Sequence, residues 1–266
     1  MPTRTSTPLR REALRLALSL TTWVTVGAAL SAASLVAVPL NAWAAGDRVT
    51  GSGRVVNETR SPAGEFEAIS LQGSIDLVVR QGNAAQITVS ADDNLLPLLE
   101  TAVEPGVSGG RLVVRWKPNA QIRSHSKAQV QVVMPRLVAL ASAGSGQARI
   151  EAFDTPKLKL ALSGSGDAAL NALKAAEFDV SLAGSGDVKA DGQAGRLKVS
   201  IAGSGDVRAA ELRADEVSVS IAGSGDVAVH AQKKLAVSIA GSGDVVYTGD
   251  AEVTRSVAGS GRIKRR

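Results

Sequence analysis

The 266-residue chain is 44% hydrophobic, carries a formal charge of +5 and has no cysteine, so it can bury a large core but builds no disulfide or thiolate framework. Aromatic residues are only 3% of it; Ala, Gly, Ser and Val dominate, which suits thin stacked layers and excludes a bulky aromatic core. Four basic residues and one acidic residue within 1–44 supply +3 of the +5, leaving about +2, so the basic balance is no nucleic-acid footprint and no nucleic acid is expected as a partner.

Residues 1–44 read as a signal peptide. Arg4, Arg10, Arg11 and Arg15 precede an uncharged run over 16–40, and Ala42-Trp43-Ala44 offers the small residues a signal peptidase needs, so cleavage after Ala44 is expected. The segment RREALR loosely resembles a twin-arginine signal but lacks its usual Phe, which leaves both export routes open. An uncleaved anchor is the rival reading, because 25 uncharged residues could span a bilayer. Cleavage implies an exported protein of the periplasm or cell surface that meets the membrane only through this segment.

Residues 45–135 read as irregular N-terminal β coils. Gly51-Ser52-Gly53 and Gly73-Ser74-Ile75-Asp76 look like degraded copies of a turn that becomes regular further on. Strands are expected at 87–89, 112–116 and 130–134, and a short helical turn within 92–103, with Asn94 as its cap.

Over 136–266 the tripeptide Gly-Ser-Gly recurs, starting at Gly144, Gly164, Gly184, Gly203, Gly223, Gly241 and Gly259, with intervals of 18 to 20 residues. The nine-residue phrase VSIAGSGDV occurs three times, at 199–207, 219–227 and 237–245. Before each turn apolar and polar residues alternate, as in Leu197, Val199 and Ile201 against Lys198, Ser200 and Ala202, the period of a strand with one face inward. A unit this short cannot bury its apolar face alone, whereas stacking like units at about 4.8 Å per layer can. The fold class is therefore all-β, a parallel β-helix or β-solenoid of about 18–20 residues per coil, continuous with the irregular coils before it. A β-propeller, with two periods per blade, is the alternative.

The segments EFEAISLQGSIDLVVRQG and ITVSADDNLLPLLET, with the later GSGD turns, resemble the bacterial head GIN domain family, whose label is that of an auto-transporter adhesin. The resemblance covers most of 64–250. It implies an exported, right-handed β-helix-like fold and brings no catalytic residues with it.

Stacking places Asp167, Asp187, Asp206, Asp226 and Asp244 in one column. Carboxylates about 5 Å apart repel by roughly 1 kcal/mol in water and about 3 at an effective dielectric of 20, so something must offset the charge. Hydrogen bonds from turn amides are one means. A row of calcium ions is the other, since calcium-binding solenoids use a similar Gly-x-Gly-x-Asp turn, although here no second acidic turn faces the first. Gln147 opens the column and Arg262 closes it. Arg262, Lys264, Arg265 and Arg266 place cations on the last strand, as a guard against edge-to-edge aggregation or as a contact for anionic lipopolysaccharide or another envelope polymer.

No catalytic or cofactor-binding residue emerges, and no cofactor is expected. The Gly-x-Gly turns are not followed by a nucleotide-binding helix. His125 and His230 stand apart, with His125 read as a solvated loop residue. Ser181, Ser200, Ser220, Ser238 and Ser256 share one register as an outward polar ladder. The expected function is a non-catalytic solenoid in adhesion, envelope scaffolding or partner binding, with an unknown envelope or cell-surface partner and self-association open to it. The alternatives are a polysaccharide-active enzyme, a lyase or hydrolase on the same scaffold, and a calcium-stiffened rod.

Overall fold

A computed structural model describes residues 48–106 and 109–266; the segment 1–44 read as a signal peptide lies outside the described residues. Residues 45–266 form one compact unit. It is a β-solenoid of stacked coils, and the only helical element among its described residues is the 3₁₀ turn Leu96–Leu98.

From Asp154 to Gly241 each coil is almost one continuous strand that bends around the core. The strands Asp154–Gly164, Ala168–Gly184, Val188–Gly203, Val207–Gly223 and Val227–Gly241 pair in parallel, each with the next. Register is kept residue for residue along the longest side. Leu158, Phe178, Leu197, Val217 and Leu235 stack in one inward column, and Leu162, Leu182, Ile201, Ile221 and Ile239 in another. All are buried. The inward/outward alternation slips at two bulged corners, so that Val207 and Ala209, Leu212 and Ala214, and Val217, Val219 and Ile221 all face the core. Three inward runs per coil are what twenty residues of period-two pattern give when folded around a filled interior.

The turns explain the glycines. Gly203 has φ +141, beyond what an L side chain adopts comfortably. Gly205 has no such φ, but a Cβ there would run into the carbonyl oxygen of Gly186 in the coil beneath. Each glycine of the turn is thus required by the coil it rests on. The turn backbone also pairs between coils: the Ser204 amide donates to the Gly184 carbonyl, and the Val207 amide to the Asp226 carbonyl. Ile75 replaces the second glycine where the constraint lapses. The strand pair beneath it, Gly109–Trp116 and Ala128–Met134, is joined by a longer excursion rather than a Gly-Ser-Gly turn.

The N-terminal part departs from the sequence expectation in its order. The coil Ala68–Gly73 with Ile75–Gln81 lies beneath Ala139–Gly144 and Ala148–Glu151, and above Gly109–Trp116 with Ala128–Met134. The chain therefore writes the second coil first, descends to the base, and then climbs past it. At the base the strands are antiparallel: Gln86–Asp92 against Ala128–Met134, Leu99–Gly106 against Gly109–Trp116, and Val55–Arg60 against Gln86–Asp92. Buried Leu95, Leu96 and Leu99 belong to this base layer, and the Arg60 guanidinium donates to the Leu96 and Leu99 carbonyls. Gly51-Ser52-Gly53 is not a coil turn. Arg48–Thr50 pairs in a separate two-stranded sheet with Gln121–Arg123. Asn94 caps no helix; its side chain accepts from the Ser52 amide and donates to the Thr50 carbonyl, tying the N-terminal segment to the base.

Candidate functional site

The five expected aspartates do stand in one column, and the column is longer than the repeat suggested. Asp76 lies beneath Gln147, which lies beneath Asp167, since the residues that follow them are in register. What offsets the like charges is a bond between coils. The amide of Asp187 donates to Oδ1 of Asp167 at 3.0 Å, that of Asp206 to Asp187 at 3.2 Å, that of Asp226 to Asp206 at 3.0 Å, and that of Asp244 to Asp226 at 2.9 Å. The series starts with the Gln147 amide on Asp76 and ends with the Arg262 amide on Asp244, both at 2.9 Å. At the bend each carboxylate thus accepts from the next coil's main chain, where a strand would use a carbonyl.

Two arginines complete the column. Arg208 spans a pair of coils, 2.9 Å from Oδ2 of Asp187 and 3.1 Å from Oδ2 of Asp206. Arg262 reaches Oδ2 of Asp244 at 2.7 Å. Its side-chain bond, with its own amide, holds the Asp244 carboxyl below the usual carboxylate range. Beside the column runs a cleft of about 340 Å³ that includes Asp167, Asp187, Lys189 and Arg208. Among the described residues no three His, Cys, Asp or Glu side chains are grouped to hold a metal ion. His125 lies in an exposed loop at the base; His230 is far along the stack, its Nδ1 2.9 Å from Thr248 Oγ1. The serine column at Ser181, Ser200, Ser220, Ser238 and Ser256 is in register on the outer face.

A second concavity had no signal in the repeat. Lys174, Gln193 and Arg213 are successive members of one outward column at a bulged corner. They edge a shallow groove of about 620 Å³ that crosses the coils from Asp154 to Gln232, with Ala175, Ala194 and Gly195 among its lining. Neither Lys174 nor Arg213 is in an ion pair among the described residues, whereas Lys157, Arg196, Arg208 and Lys233 are. These positions vary from coil to coil, so a search for identity passes over them; aligning the corners two or three residues before each strand of the long side would have found the column. Asp92 was missed for another reason. Its carboxylate is 1% exposed and accepts from Ser124 Oγ at 2.6 Å, a contact set by non-local base packing.

The geometry defines a side-chain-filled solenoid with ladders of hydrogen-bonded turns and a polar lateral groove. A family model described as "Putative auto-transporter adhesin, head GIN domain" matches residues 65–251, and the chain belongs to that family. Solved structures share the fold. A "putative adhesin" from Bacteroides fragilis superposes with a TM-score of 0.75 at 23% identity, over 82% of this chain and 100% of that one. A "putative lipid binding protein" from Parabacteroides distasonis gives 0.68 at 26%, over 83% and 100%. A "putative adhesin" from the same organism gives 0.64 at 25%, also over 83% and 100%. No curated protein sequence matches the chain.

Proposed function

We propose that the protein is an exported, non-catalytic adhesion module whose lateral groove holds an extended anionic polymer or partner of the cell envelope. The observation that carries this reading is the register of Lys174, Gln193 and Arg213. Two cations without ion-pair partners among the described residues stand two coils apart, about 10 Å, with an amide between them. That spacing suits a chain lying along the stack, with charges at intervals of a few residues or sugars. Membership of an adhesin-labelled family supports the role, and the leader-like first 44 residues support export.

The reading is tested by titrating the protein with acidic and neutral envelope polysaccharides in a calorimeter. Acidic polymer should bind, more weakly as salt rises. The double substitution Lys174→Glu and Arg213→Glu should weaken binding at least tenfold while the melting temperature stays near its original value. Equal binding of neutral polymer, an unaffected double variant, or release of reducing ends from any polymer would each overturn the proposal, the last in favour of a polysaccharide-active enzyme.

A further inference from the structure

We infer that the last described coil is a built stop, which prevents a second copy of the chain from stacking on its outer edge. The strands Glu252–Gly259 and Ile263–Arg265 each pair with a strand of the coil beneath, and no described residue pairs with their outer edges. An edge of this kind, over an aliphatic core, is a template for another strand. Val257 is 42% exposed, although Ile239 directly beneath it is buried.

Register allows the last coil to be compared with its predecessor position by position, and it departs where continuation would need it most. The inward triplet Leu235, Val237 and Ile239 is matched by Val253, Arg255 and Val257. Arg255 therefore occupies a core column filled by Leu or Val from Leu160 through Val180, Val199 and Val219 to Val237. Left uncovered, its guanidinium stays in water while its stem stands over Val237. A second copy laid on this face would strip that water and bury a charge with no partner.

Arg262 makes the second departure. It stands where the turn column places Asp, so the column ends on a side chain that has donors and no acceptor. An opposing last coil would meet a cation there and not a carboxylate. Charge is the third: residues 249–266 hold five basic and two acidic side chains, more than the net charge of the whole chain after residue 44. Two such faces brought together repel.

The test compares the parent with Arg255→Val/Arg262→Asp, both expressed as the full chain and measured by sedimentation over a range of micromolar concentrations. The native chain has no cysteine, so Ser256→Cys, on the exposed edge strand, can be added to each as a marker of the meeting surface. The parent should sediment as one copy. The double variant should keep the parent's far-ultraviolet dichroism, associate in pairs, and yield a disulfide-linked dimer through the introduced thiol under mild oxidation. Arg255→Glu, which keeps an inward charge of opposite sign, should remain a single copy. A double variant that stays single, one that associates or aggregates without forming the disulfide-linked dimer, or a parent that already pairs through the introduced thiol, overturns the inference.

Discussion

At the scale of single residues the repeat is a steric and hydrogen-bonding code. Gly205 and Gly53 separate two uses of glycine. A Cβ on Gly205 would overlap the Gly186 carbonyl, whereas one on Gly53, at φ +79, would meet nothing within 4 Å. Gly205→Ala should therefore cost about 3 kcal/mol, because two close-packed coils must part, and Gly53→Ala only about 1, from backbone strain. Chemical denaturation of the two variants measures both. The aspartates are acceptors first and charges second. Asp206→Ala leaves the Asp226 amide without its partner at the bend and should cost about 1–2 kcal/mol; Asp206→Asn keeps an acceptor oxygen and should lose less than half of that. Charge matters where arginine or lysine is in contact. Asp244 is held below its usual range by Arg262, and Glu177 by Lys157. A lowered carboxyl adds stability that is present above its unfolded value, about 4, and lost as pH falls through the folded value. Melting temperature should be flat from neutrality to about pH 4.5 and fall below it, and Asp244→Asn should make the acid fall shallower.

At the scale of the coil, identity between neighbours makes the units interchangeable. Each regular coil presents the same aliphatic columns and turn ladder above and below, so removing one leaves complementary surfaces. Excising residues 204–223 joins Gly203 to Ser224 in register. The shortened protein should fold, with unchanged dichroism per residue and a lower melting temperature. Removing residues 86–105 should abolish folding, since they supply the antiparallel base strands and buried Ile87, Val89, Leu95 and Leu96. The same contrast explains what could be read in advance. From Gly144 on, a fixed period and strict alternation placed the coils, the inward columns and the aspartate column, because parallel in-register stacking maps sequence identity directly onto spatial adjacency. Before Gly144 the turn at Gly73-Ser74-Ile75-Asp76 and the strands around 87–89, 112–116 and 130–134 were legible too, but the order of the layers and their antiparallel pairing were not. Antiparallel pairing depends on residues that meet from distant parts of the chain, and nothing local to Gly51-Ser52-Gly53 distinguishes it from a coil turn. Nor does local sequence say that 68–81 lies above 109–134. Arg255 was legible, since aligning RSVAGSG with VSIAGSG puts Arg in the column of Val237, but the eye rests on the glycines that agree.

At the scale of the whole molecule the described stack has unlike ends, a base layered with antiparallel strands and a last coil whose outer edge no described residue pairs, joined by a continuous core. Whether metal ions stiffen such a rod is decided by the oxygens they would find. Calcium takes six to eight oxygen ligands. In the column each Oδ1 of Asp167, Asp187, Asp206, Asp226 and Asp244 accepts an amide, while Arg208 and Arg262 hold the Oδ2 atoms of Asp187, Asp206 and Asp244. That leaves Oδ2 of Asp167 and Asp226, which are three coils, or about 14 Å, apart and cannot share an ion. The main-chain ladders and aliphatic columns that join the coils need no ligand themselves. Millimolar calcium and an excess of chelator should leave the melting temperature the same within about 1 °C, since a ligand at a hundred times its dissociation constant would add about 2.7 kcal/mol. A rise of several degrees with calcium, cancelled by chelator, would mean that the arginines give way to the ion and that the column is a metal site after all. Arg208→Ala, which frees two carboxylates in adjacent coils, is the variant in which weak calcium binding should first become measurable by calorimetry.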